Sequence, residues 1–105
     1  AAAAEGCDLI VNTSSLGMAG DPVRENTSPI PEAAIPADCI CTDAVYNPIE
    51  TTFLKAALRR GARTVSGVGM IVYQGAEAWK MWTGTDMPTE AVMQKVIHAL
   101  RKRNP

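Results

Sequence analysis

The sequence predicts an α/β fold: a parallel sheet of about three strands, one crossover helix and two C-terminal helices. Short apolar runs at residues 7–12, 39–46 and 63–67 read as strands. A helical apolar period fills the interval between the second and third. A polar or glycine-containing turn follows each run. Strands that alternate with helical crossovers give a parallel sheet with right-handed connections.

The first run, "CDLIVN", is continuously apolar and closed by a polar residue, as in a strand covered on both faces. The alanines before it read as the end of a helix, so the chain is expected to begin mid-fold. Residues 12–37 are mostly loop, with Pro22, Pro29, Pro31 and Pro36; "PIPEAAIP" carries one helical turn. "CICTDAVY" is the second strand. In "NPIETTFLKAALRRGA", Pro48 stops that strand and Glu50, Thr51 or Thr52 can cap the helix. Phe53, Leu54, Ala57 and Leu58 form its apolar face, and Gly61 its left-handed stop. "RTVSG" is the third strand. A helix over residues 69–83 repeats Ile71, Val72, Gly75, Ala76, Trp79 and Trp82 at helical spacing, and Gly84 ends it. Pro88 opens the last helix, with Asp86 or Thr85 as cap and Val92, Met93, Val96, Ile97 and Leu100 inward.

A chain of 105 residues is one domain at most. Its 47% hydrophobic and 20% charged residues describe an ordinary globular protein. A net charge of −1 gives no field that favours nucleic acid or an anionic membrane, so neither is an expected partner. The one basic run, "RKR" at residues 101–103, reads as a solvated helix end favoured by the helix dipole. No apolar stretch approaches the ~20 residues that span a bilayer. The amino terminus lacks the basic start of a signal peptide, so the expected compartment is the cytoplasm. Cys39 and Cys41 share one strand face and read as buried, reduced thiols; a single C-x-C without a second ligand pair implies no metal.

Ligands of open parallel sheets bind beyond the carboxyl ends of the strands. Those ends run into residues 12–15, 43–46 and 67–70. Asn12, Thr13, Ser14 and Ser15 offer groups suited to phosphate, ribose or carboxamide, or equally to turns and caps. Gly67 and Gly69 allow close backbone approach at a helix start, or simply a tight turn. Tyr46 can pack an edge or face a ligand. Met70 and Gln74 lie four residues apart on one helix face. A buried glutamine without partners costs about 1–3 kcal/mol, so Gln74 is expected to bond backbone or a polar ligand.

"DLIVNTSSLGM" and "DAVYNPIETTFLKAALRRGARTVSGVGMIVYQGAEAWKMWTG" resemble the carboxyl-terminal half of the shikimate dehydrogenase family. The pattern D-x-x-Y-x-P-x-x-T followed by G-x-G-M-x-x-x-Q carries the resemblance. It implies a partial Rossmann-like sheet and reversible reduction of 3-dehydroshikimate to shikimate with NADPH, in aromatic biosynthesis. It implies substrate contacts at Tyr46 (carboxylate) and Gln74 (hydroxyl). It implies cofactor contacts at Asn12, Thr13, Ser14, Ala44, Gly67 and Met70. Residues 1–67 would be the second half of the NADP-binding domain. Residues 68–105 would be a helical segment returning towards a substrate domain, with Trp79 and Trp82 on its wide apolar face. Thr13, Ser66 and Gly75 depart from the commoner family residues.

The family's glycine-rich phosphate loop, its basic 2′-phosphate loop and its catalytic lysine and aspartate have no counterpart in these residues, so no catalytic residue is assigned. Lys55, Lys80, Lys95, Lys102 and His98 read as surface or packing residues, and Asp43 as support for the Tyr46 loop. The expectation is a fragment of the enzyme, inactive alone. The rival expectations are a quinate-using relative and a non-catalytic fragment that self-associates as a homodimer.

Overall fold

The computed structural model describes residues 2–103. Strands β1 (Leu9–Asn12), β2 (Ile40–Asp43) and β3 (Arg63–Val65) form one parallel sheet in the order β1-β2-β3. Ile10 pairs with Cys41 and Cys41 with Thr64, which fixes the register across the sheet. Between the strands run a short helix α1 (Pro22–Glu25) and the crossover helix α2 (Thr52–Arg59). Two longer helices, α3 (Val68–Thr83) and α4 (Thr89–Arg103), close the chain.

Helix α2 starts where Thr51 Oγ1 accepts the Leu54 N–H at 3.2 Å, which selects Thr51 among the three possible caps. It ends at Gly61, whose φ of +86° is costly for any residue with a Cβ. Phe53, Leu54, Ala56 and Ala57 pack on Cys39 and Cys41 with Ile35, forming the main core. Full burial of Phe53 and Leu54 contributes about 1.5–3 kcal/mol each. Leu58, expected inward, is 49% exposed because it lies one helical step beyond the face that Phe53 and Ala57 define.

The second core joins α3 to α4. Val68, Val72 and Leu100 are buried there, with Ile49, Ile71 and Val96 packed around them. Gly84 stops α3 with φ +72° and donates its N–H to Lys80 O. Helix α4 begins one residue later than its sequence suggests. The Pro88 carbonyl accepts the Val92 N–H at 3.0 Å, so the proline precedes the first turn. Neither expected cap serves there: Asp86 pairs with Lys80 at 3.4 Å, and the Thr85 hydroxyl bonds that of Thr83.

Three further expectations are corrected. The strands are shorter than the apolar runs, because the chain turns immediately after Asp43 and after Val65. The sheet is covered on one face only. On the α2 side Cys41 and Asp43 are buried and Ile10 and Thr64 half-buried, whereas Leu9 (56%), Val11 (43%) and Val65 (54%) alternate onto an open face. Helix α1 lies in what reads as loop; Asp21 caps it and Pro22 takes its first position.

Candidate functional site

The ends of β1 and β2 are tied by buried polar bonds. Asn12 Nδ2 donates to Asp43 Oδ1 and to Leu16 O, both at 3.0 Å. Asn12 Oδ1 accepts the Ser14 N–H at 3.1 Å and the Ser14 hydroxyl at 2.6 Å. Asp43 is fully buried and no cation faces it among the described ion pairs. It is held instead by three donors: Asn12 Nδ2, the Val45 N–H at 2.9 Å and the Thr51 hydroxyl at 2.7 Å. The Thr51 hydroxyl is also the α2 cap. One chain of hydrogen bonds therefore shapes the loop after β1, the turn after β2 and the start of α2. Buried carboxylates persist when hydrogen bonds replace water in this way.

Gly67 locks the third loop onto the second. A Cβ there would lie 2.6 Å from Asp43 O, 2.8 Å from Val45 O and 2.9 Å from Ala44 O. Only a residue without a side chain lets the β3–α3 turn sit against that backbone. The three strand ends are thus fixed by contact with one another.

Above them opens a cleft of about 490 Å³. Thr13, Ser14 and Ser15 line it from the first loop, and Ala44, Tyr46 and Asn47 from the second. Met18 adds an apolar contribution, and Leu100 and Arg103 reach it from α4. The Thr13, Ser15 and Tyr46 side chains carry hydroxyls that no described residue bonds, so they remain available to a ligand. A larger cavity of about 580 Å³ lies between Glu25, Glu50, Lys55 and Arg101; none of the loop residues 12–15 or 43–46 lines it.

Four of the eight sequence-predicted site residues therefore share the cleft: Thr13, Ser14, Ala44 and Tyr46. Asn12 and Gly67 are buried beneath it and act on its shape. Met70 and Gln74 are exposed on α3 and do not line it. Gln74 is not the buried glutamine its apolar surroundings suggest: it faces solvent, and its Nε2 donates to Ile71 O at 3.0 Å. Sequence reasoning missed Met18, Asn47, Leu100 and Arg103. The signal for Arg103 was the basic run itself, together with its place one turn beyond the apolar Leu100.

The thiols of Cys39 and Cys41 approach to 3.5 Å in the main core. Burial pushes the Cys41 thiol up to about 12, and the Cys39 thiol beside it adds to the shift. Both are free thiols, and neither lines the cleft.

Comparison with known proteins shows where this architecture recurs. Residues 67–97 match the Shikimate 5'-dehydrogenase C-terminal domain. The NADP(+) shikimate dehydrogenase of Streptococcus pneumoniae is 44% identical over 90 residues. This chain is similar to the carboxyl-terminal part of shikimate dehydrogenases. The 90 residues are 85% of this chain and 30% of that relative, so the chain spans under a third of its length. A shikimate dehydrogenase solved in complex with NADP+ superposes with a TM-score of 0.84 at 34% identity, over 91% of this chain and 33% of that one. A quinate dehydrogenase from Corynebacterium glutamicum, in complex with NAD, reaches 0.78 at 27% identity, over 89% of this chain and 32% of that one. The fold shared with these two solved dehydrogenases makes the sheet a partial Rossmann-like one. No helix among the described residues is long and apolar enough to cross a membrane.

Proposed function

We propose that this chain forms the nicotinamide side of an NADP-dependent shikimate dehydrogenase, which reversibly reduces 3-dehydroshikimate to shikimate in aromatic amino acid biosynthesis, in the cytoplasm. The observation that carries the proposal is the cleft at the strand ends. It gathers Thr13, Ser14, Ala44 and Tyr46 in a chain 44% identical to such an enzyme over 90 residues. Residues 1–67 supply the nucleotide side and residues 68–105 the helical return towards a substrate domain.

The donor set fits a nicotinamide nucleotide. Free hydroxyls at Thr13 and Ser15 suit ribose or phosphate oxygens, and small Ala44 leaves a flat ring close access to backbone. When bound, the dinucleotide supplies or accepts the hydride. This chain's part is to hold the ring and the substrate carbonyl at a reacting distance of about 3–3.5 Å. Asn12 and Gly67 keep the loops rigid for that purpose, and Met70 adds an apolar contact. Tyr46 contacts the substrate carboxylate, and Gln74 exchanges its bond to Ile71 O for a substrate hydroxyl.

A chimera tests this reading. Replacing the matching segment of the Streptococcus pneumoniae enzyme by this chain is expected to leave NADP+-dependent oxidation of shikimate intact. A folded chimera without that activity refutes the proposal. Likeness to a quinate dehydrogenase favours a second reading, so the same chimera is assayed with quinate and NAD+. The open apolar sheet face at Leu9, Val11 and Val65 favours self-association as a homodimer, which light scattering reads directly.

A further inference from the structure

Helix α4 ends between two cavities. Leu100, only 7% exposed, lines both and pins the helix there. The basic run then divides. Arg101 turns to the cavity that holds Glu25, Glu50 and Lys55. Arg103, three residues beyond Leu100 and on the same helix face, lines the cleft at the strand ends.

Among the described residues that line the cleft, Arg103 is the only charged one. The ion pairs among the described residues are Arg59–Glu32 and Lys80–Asp86, so no described acid neutralises it. Around the same space stand the free hydroxyls of Thr13, Ser15 and Tyr46. A guanidinium with hydroxyl donors and no opposing carboxylate among the described residues is a receptor for an oxyanion, because Arg pairs two oxygens at once in a fixed fork.

We infer that Arg103 is the anion-holding residue of this cleft, pairing with phosphate or carboxylate oxygens of the ligand seated between residues 13–15 and Tyr46. The ligand identities rest on the proposed function. Two sources share the chemistry: the phosphates of the dinucleotide and the carboxylate of the substrate.

The test is titration of the chain with NADP+ and, separately, with shikimate, read from the amide NMR signals of residues 13–15 and 46. Arg103→Gln is expected to raise Kd for one of the two by at least about tenfold, and Arg103→Lys to recover part of it. Loss with NADP+ assigns the phosphate, and loss with shikimate assigns the carboxylate. The affinity that depends on Arg103 also falls as salt is raised. Signals elsewhere in the spectrum report that the variants remain folded. Unchanged Kd for both ligands in Arg103→Gln overturns the inference and leaves the proposed function standing. No shift with either ligand in the unaltered chain overturns the inference, while the chimera assay tests the proposed function separately.

Discussion

The Asn12 amide donates to the Asp43 carboxylate across 3.0 Å, and this bond joins the ends of two strands that are 31 residues apart. Asp43 has no exposed surface, and its removal strands three donors at once. An unsatisfied buried donor costs about 1–3 kcal/mol, and the three share one site, so their costs do not simply add. Asp43→Ala is expected to lower unfolding free energy by about 3 kcal/mol in urea titration. A loss below about 1 kcal/mol would mean that water replaces the carboxylate.

Two glycines of the α3 region predict opposite outcomes. Gly67→Ala drives a methyl group to within 2.6–2.9 Å of three carbonyl oxygens, all rigid backbone. The expected cost is about 1–3 kcal/mol, with displaced amide signals at residues 44–46. Gly75 lies inside α3 with nothing within 4 Å of its added Cβ. Gly75→Ala should therefore stabilise by about 0.5–1 kcal/mol, the helix preference for alanine over glycine. Thermal unfolding of the pair decides both signs.

The three parallel strands, the crossover helix and the loops that meet at one rim were legible because apolar runs and glycine stops are local signals. What was not legible came from tertiary placement. Asn12 offers the same amide whether it binds a ligand or Asp43, and only the fold reveals that both of its polar atoms are already used. Gln74 sits among apolar neighbours in sequence, yet the face it occupies is turned to solvent. Arg103 belonged to a basic run that is usually solvated. Its place at the cleft depends on where Leu100 docks, which no spacing rule specifies.

The thiol pair gives a pH dependence. The folded chain holds the Cys41 proton to about pH 12, whereas the unfolded chain releases it near the ordinary value of 9.0. Between those values the unfolded state binds fewer protons, so stability falls as pH rises. Below about pH 9 the contribution is fully present. Cys41→Ser should flatten the alkaline arm of a urea-midpoint profile relative to the unaltered chain. A thiol reagent at pH 8 should label Cys7, which is partly exposed, well before Cys39 or Cys41.

The open sheet face separates what the isolated chain needs from what a covering partner would need. Leu9 and Val65 are 56% and 54% exposed, so they contribute little burial within this chain. Leu9→Ser and Val65→Thr are expected to change unfolding free energy by no more than about 0.5 kcal/mol each. Phe53, 1% exposed on the opposite side of the sheet, sets the scale: Phe53→Ala should cost about 3–5 kcal/mol. If the two surface changes cost more than about 1.5 kcal/mol, and the cost grows with protein concentration, the face is buried between copies in solution. The area these side chains remove from water then stabilises the assembly, and the dimer reading gains over a monomer with one bare sheet face.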